Sequence, residues 1–240
     1  MAATTTIQKV QARFRWSTPP ACAKPNGLQA VEGGVWVVDQ QRESGMYFLD
    51  WRDGHVLRSF PTITNHSSGV TWDGEAVWVA STYAPVDLFR FSVEGEELRR
   101  LPTPGASETQ AAHGLEWIDG KLWVCVPPRL EPPLPAVYQV DPVAGHVLSQ
   151  IPAPGVRPHG IAWDGRHLWV AETTDRTITA YTLDGQPTLV LALEPGPAEG
   201  PNPHGLTYYR GEPQPSTGTR GELWYCDADT RAMCTIAIPD

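Results

Sequence analysis

Gly160-Ile161-Ala162-Trp163-Asp164-Gly165-Arg166-His167-Leu168-Trp169-Val170-Ala171-Glu172 reads as two short β-strands joined by an Asp-Gly hairpin turn. The first strand opens on a glycine and the second carries a Leu-Trp pair. The same phrase recurs along the chain. Gly27 leads to Val35-Trp36, Gly69 to Val77-Trp78, Gly114 to Leu122-Trp123 and Gly205 to Leu223-Trp224. The five glycines stand 42, 45, 46 and 45 residues apart, the period of a four-stranded propeller blade. Five such units use nearly all of the 240 residues. The pattern therefore predicts an all-β, five-bladed β-propeller with four antiparallel strands per blade.

Outward from the quoted stretch, 177–182 and 188–193 read as the third and fourth strands, separated by the turn Asp184-Gly185. Equivalent pairs are 45–51 and 55–61, then 86–92 and 97–102, then 136–141 and 146–151. The fifth unit ends one strand short after 223–227 and 232–238. A spare alternating segment, 7–16, lies at the other end of the chain. The expectation is one domain, 1–240, with blades near 27–67, 68–112, 113–158, 159–203 and 204–240 plus 7–16. The N-terminal strand would complete the last blade and remove an open edge. Two insertions break the period, at 212–220 and at the Pro-rich 127–135, which would form a stiff wall over one face.

The chain carries 18 Lys and Arg against 27 Asp and Glu. No basic stripe is present to track phosphates, so a nucleic-acid partner is not expected. No apolar run is long enough to span a bilayer and no basic head precedes one, so a cytoplasmic monomer away from membranes is expected. The four cysteines lack CxxC spacing, and Cys125 and Cys226 take a repeat position held elsewhere by Val38, Ala80 and Ala171, the habit of a small buried residue. Eight of the ten tryptophans recur at two repeat positions, which points to packing between blades rather than to a stacking platform.

Function is sought where equivalent positions differ. In a propeller the first strand of each blade lines the central channel, so the residue before each repeat glycine faces the axis at one mouth. Those residues are Asn26, Ser68, His113, His159 and His204. Three positions before the glycine stand Lys24, His66, Ala111, Arg157 and Asn202. Four of the seven histidines fall in these two series, leaving His55, His146 and His167 for turns and surface. Because Asn26 and Ser68 serve in two blades, the architecture does not itself demand histidine there.

Convergent imidazoles suit a divalent ion of Zn, Fe, Mn, Ni or Cu, with Mg a weaker choice. His113, His159, His204 and His66 are the candidate metal ligands. Hairpin register places Glu172 beside His159, Asp227 beside His204 and Asp39 beside Asn26, where a carboxylate could orient a ligand imidazole. His159, His204, Glu172 and Glu116 are the candidate catalytic groups; Glu116 sits on a first strand where other blades carry Gln29, Thr71, Ala162 and Thr207. Lys24, Asn26, Arg157, Asn202 and Ser68 are candidates for substrate binding, with the two cations suited to an anionic substrate group. Glu108 and Glu199 lie in loops approaching the same face. The expected function is a metal-dependent small-molecule lyase or hydrolase. A non-enzymatic ligand- or protein-binding propeller and a redox metalloenzyme are the alternatives.

The stretch 151–172, with Arg157-Pro158-His159-Gly160, and the following Asn202-Pro203-His204-Gly205-Leu206 resemble blades of the virginiamycin B (streptogramin) lyases. The resemblance implies a propeller that opens a cyclic depsipeptide by elimination at its ester, using a divalent metal and histidines on successive blades. His159 matches the family's Arg-Pro-His element. His204 matches its second element, with Asn202 where the family has glutamate, on a chain of five blades rather than seven. Plant-type glutaminyl cyclases are similar in being five-bladed, but their Phe-Thr-Gln-Gly-Leu stretch is absent here.

Overall fold

The computed structural model describes residues 5–41, 43–106, 111–127, 136–153, 155–194, 202–211 and 221–239. It is all-β, with five small sheets arranged as the blades of a propeller. The chain begins with β1 (Thr6–Val10) and β2 (Arg13–Ser17). Blade one comprises β3 (Pro25–Val31), β4 (Gly34–Asp39), β5 (Gly45–Leu49) and β6 (Val56–Pro61). Blade two comprises β7 (Gly69–Trp72), β8 (Val77–Ala80), β9 (Asp87–Phe91) and β10 (Glu97–Pro102). Blade three follows with β11 (Gly114–Ile118), β12 (Lys121–Val126), β13 (Ala136–Val140) and β14 (Val147–Pro152). Blade four has β15 (Pro158–Trp163), β16 (Leu168–Glu172), β17 (Thr177–Tyr181) and β18 (Pro187–Leu193). Blade five is built from β19 (Leu206–Tyr209), β20 (Glu222–Cys226) and β21 (Ala232–Ala237), with β2 antiparallel on its outer edge.

The ring thus closes through its N-terminal segment, but not as one strand. The predicted strand 7–16 divides at Gln11-Ala12. Its second half completes blade five, while β1 crosses to blade four and adds a fifth, parallel strand, pairing Thr6 with Leu189 and Val10 with Leu193. The physical reason lies in β18, whose Leu189-Val190-Leu191-Ala192-Leu193 is the most apolar outer strand. An unpaired apolar edge is a liability, and β1 covers it.

Burial explains the sequence pattern. The second strands are packed on both sheet faces by neighbouring blades, so β4 and β8 are buried along their whole length and read as continuous apolar runs. Outer strands such as β6 and β14 bury a single position, Phe60 and Ile151. Each of the five apolar clusters is shared by two adjacent blades: Trp36 packs with Val77 and Phe89, Trp78 with Leu115, Trp123 with Ile161, Trp169 with Leu223, and Trp224 with Val35. No blade has a core of its own, so closing the ring is what completes all five. In blades two and four the turn aspartates, Asp73 and Asp164, accept the indole N–H of Trp78 (2.9 Å) and Trp169 (2.8 Å), tying hairpin to core. All four cysteines are buried free thiols, and burial pushes those of Cys125 and Cys226 far upward. No helix among the described residues is long and apolar enough to cross a membrane.

Candidate functional site at the channel mouth

The repeat glycines are explained by close approach between inner strands. A Cβ on Gly114 would collide with the backbone carbonyl of His159, one on Gly160 with that of His204, and one on Gly205 with that of Asn26. On Gly27 it would meet the Ser68 carbonyl at 2.7 Å. The Gly160 N–H donates to the His204 carbonyl across the blade boundary (2.8 Å). Five backbones therefore converge at the glycine level, and the residue before each glycine is carried to the axis on one side of it.

There the structure brings His113, His159 and His204 together. The His113 and His159 ring centroids are 4.4 Å apart and those of His159 and His204 5.1 Å, each pair edge-on at 77°. All three are buried, at 7%, 0% and 5% exposure. Neither ring nitrogen of His159 makes a hydrogen bond of good geometry with a described residue, although the His204 backbone lies near enough to favour its protonated form, and neither amide atom of Asn26, also fully buried, has a described partner. His204 differs: its Nδ1 lies 3.2 Å from the Asn202 carbonyl and 3.5 Å from the Ala228 N–H, and the shorter contact, to an acceptor, favours a proton on Nδ1 with Nε2 left basic. Burial holds the His159 imidazole well below its ordinary value, helped by the His113 and His204 rings and the Arg157 cation and opposed by the His204 backbone. Burial also lowers His204, with the Asn202 carbonyl opposing and Arg157 assisting. Both rings are therefore neutral near pH 7.

The acids beside this cluster have a different task from the one register suggested. Glu172 accepts the backbone N–H groups of Arg157 and Asp175. Asp227 accepts those of Asn202 (2.7 Å), Asp229 (2.7 Å) and Thr230 (2.9 Å). Asp39 accepts that of Lys24 (2.7 Å) and the Gln41 amide (2.6 Å). Three carboxylates thus clamp the loops approaching blades one, four and five, at the residue three before the glycine. They shape the mouth through the backbone instead of orienting imidazoles.

The remaining candidates separate by place. Ser68 Oγ bonds Thr82 Oγ1 (2.8 Å) and the Gln40 amide (3.3 Å). His66 stands apart from the imidazole cluster: its φ is 51°, its Nδ1 contacts Asn65 Oδ1 at 2.7 Å and its ring lies against Tyr83. Lys24 and Arg157 are exposed and Asn202 is half-buried. Glu116 lies three residues beyond His113, roughly 10 Å along the strand, on the far side of the glycine level. Its carboxyl accepts the N–H groups of Trp117 (3.0 Å) and, across the blade boundary, Trp163 (3.0 Å), with the Thr71 hydroxyl at 3.5 Å. Burial pushes its pKa up to about 8, against those three bonds. Glu108, Glu199 and most of the Pro-rich loop lie outside the described residues.

A cleft of about 330 Å³ opens at the mouth, lined by Gln40, Thr82, Tyr83, His113, Arg157 and Thr174, among others. Gln40, Thr82, Tyr83 and Thr174 were not singled out from the sequence. Their signal was positional: each follows a second strand, on the face where the first strands begin.

For a metal, the donors fit in kind, since neutral imidazoles with open nitrogens suit borderline ions. The side chains as they stand do not draw three ligand atoms together at this site. Among the described residues, the three-residue set of His, Cys, Asp or Glu whose ligand atoms all lie within 4.8 Å of one another is Asp50, Asp53 and His55, in a largely exposed turn of blade one.

No protein-family model matches the chain, and no curated protein sequence does. Among solved structures, the glutaminyl cyclase of Myxococcus xanthus superposes over 99% of this chain and 100% of that one, with TM-score 0.72 and 12% identity. A streptogramin B lyase matches 90% of this chain and 65% of that one, with TM-score 0.52 and 20% identity. The WD40 propeller domain of Doa1 matches 89% and 63%, with TM-score 0.54 and 12% identity. This chain therefore spans the full length of the cyclase and somewhat under two-thirds of the other two. At these identities the likeness is one of fold, and in fold the resemblance to streptogramin lyases holds.

Proposed function

We propose that the channel mouth is the active site of a small-molecule lyase or hydrolase whose working groups are the imidazoles of His113, His159 and His204. The observation that carries this reading is His159. It is fully buried between two other imidazoles, and neither nitrogen makes a hydrogen bond of good geometry with a described residue. A histidine buried for packing alone would have its nitrogens hydrogen-bonded, because an orphaned buried polar group costs about 1–3 kcal/mol. The same imidazoles are the residues that would hold a divalent Zn, Fe, Mn, Ni or Cu ion. Such an ion would supply Lewis acidity toward a carbonyl or a water. His204, kept neutral by burial and anchored through Nδ1, retains a basic Nε2 suited to accepting a proton. The backbone clamps made by Glu172 and Asp227 hold His159 and His204 on loops of fixed geometry.

Elemental analysis of untagged protein purified without chelator tests this, run beside the triple variant His113→Ala, His159→Ala, His204→Ala. Near-stoichiometric transition metal in the parent and none in the variant is the expected result. Loss of ester or lactone turnover in His159→Ala, at a melting temperature within a few degrees of the parent, is expected alongside it. A second reading, a ligand-binding propeller without chemistry, draws on the absence of a shared ligand sphere among the three imidazoles. It expects bound ligand with no turnover and no metal.

A further inference from the structure

The cleft at the mouth has one cationic wall. Arg157 lines it, and its guanidinium makes no ion pair or hydrogen bond with a described residue, although Glu172 binds its own backbone N–H. In a chain with 27 acids against 18 bases, a bare arginine in a cleft is a receptive feature rather than a leftover of crowding. Apolar surface lines the cleft too, from Pro127, Val156 and the ring of Tyr83, beside the polar Gln40, Thr82 and Thr174. His113 joins the cleft to the ring of residues before the glycines, where Asn26 keeps both a donor and an acceptor buried and without a protein partner.

We infer that the mouth takes a small organic monocarboxylate, with Arg157 holding the carboxylate at the rim and an apolar body lying against Tyr83, Pro127 and Val156. This names the substrate class for the site proposed above and rests on that reading. The guanidinium fork matches a carboxylate in two parallel bonds, which favours carboxylate over a point anion. A polyanion is disfavoured on two counts. The mouth offers one fork and no glycine-rich cradle of N–H groups, and the net charge of −9 repels extra negative charge.

Benzoate and benzamide form a matched pair of probes, equal in shape and different in charge. Their binding is read by protein amide chemical shifts, without metal or turnover. The parent is expected to bind benzoate about tenfold more tightly than benzamide, the worth of one charge-assisted contact at a half-open site. Arg157→Gln should erase that preference while leaving benzamide binding unchanged, and Arg157→Lys should keep part of it. Arg157 is exposed, so these variants retain the parent fold, and their melting temperatures check that. Equal affinity for the two probes in the parent, a preference that survives Arg157→Gln, or no millimolar binding of either probe would overturn the inference. Because the readout needs neither catalysis nor metal, it can fail while the histidine variants still establish an active site. The converse also holds.

Discussion

The five inner strands carry two rings of side chains, one on each side of the glycine level, and the rings obey different rules. Beyond the glycines stand Gln29, Thr71, Glu116, Ala162 and Thr207, and their bonds run from blade to blade. Thr207 Oγ1 accepts the Ala30 N–H (2.8 Å), Thr71 donates to Gln29 Oε1 (2.6 Å) and Glu116 accepts from Trp163. Before the glycines stand Asn26, Ser68, His113, His159 and His204, where two fully buried residues keep orphaned polar atoms. One ring fastens the blades; in the other, Asn26 and His159 are left without a well-formed side-chain hydrogen bond to a described residue. Orphaned buried atoms also occur singly elsewhere, at Thr103, Trp123 and Trp224; what sets the mouth apart is that Asn26 and His159 leave both of their polar side-chain atoms so at one level of the channel.

The largest effect should come from removing the divide between the rings. Gly114→Ala drives a methyl into the His159 carbonyl and should cost about 3 kcal/mol or more in urea unfolding, as backbone overpacking does. Tolerance of that substitution would mean the two rings are not held apart by backbone contact.

The rings should also answer pH with opposite signs. Glu116, raised to about 8, keeps a proton in the folded state that the unfolded chain releases above its ordinary value. Stability therefore falls as pH rises between those values, by at most about 1.4 kcal/mol per pH unit. His159, lowered by burial, refuses a proton that the unfolded chain accepts below the ordinary imidazole value. Its contribution is present above that value and is lost as pH falls. In the parent the slopes of His159 and His204, both lowered by burial, oppose that of Glu116 below about pH 6.5, and the Glu116 slope runs on above it to about pH 8. Chemical denaturation across pH 5–8 should show Glu116→Gln removing the decline on the alkaline side, and His159→Leu steepening the decline on the acid side, where His204 alone still opposes it. Identical profiles for the two variants would contradict the distinction.

Thr207→Val should have the smallest effect. It removes the acceptor of the Ala30 N–H and should cost about 1 kcal/mol, with probe binding at the mouth unchanged. A change in binding would mean that the rings are coupled.

Much of this was legible in the sequence because repetition exposes both rule and exception. The glycine period fixed the blade, and the variable residue before each glycine marked His113, His159 and His204. What stayed hidden depends on partners remote in sequence. Nothing at Gln11-Ala12 signals a break, because the pull on β1 comes from the apolar edge of β18, about 180 residues away. Register could not show that backbone N–H groups of the approaching loops are what Glu172 and Asp227 bind. Glu116 stood out as an acid on an inner strand, yet its partner is the main chain of Trp163, and backbone donors leave no signature in a sequence.

The central claim is that the ring before the glycines is held for function at a cost in stability. The most direct measurement is the unfolding free energy of the double variant Asn26→Leu, His159→Leu against the parent at pH 7.5. The account expects the double variant to be as stable as the parent or more so, because each leucine replaces polar atoms that make no well-formed hydrogen bond with a described residue. A loss of about 2 kcal/mol or more would show that these groups are paired and structural, and the mouth would lose its claim to be a site.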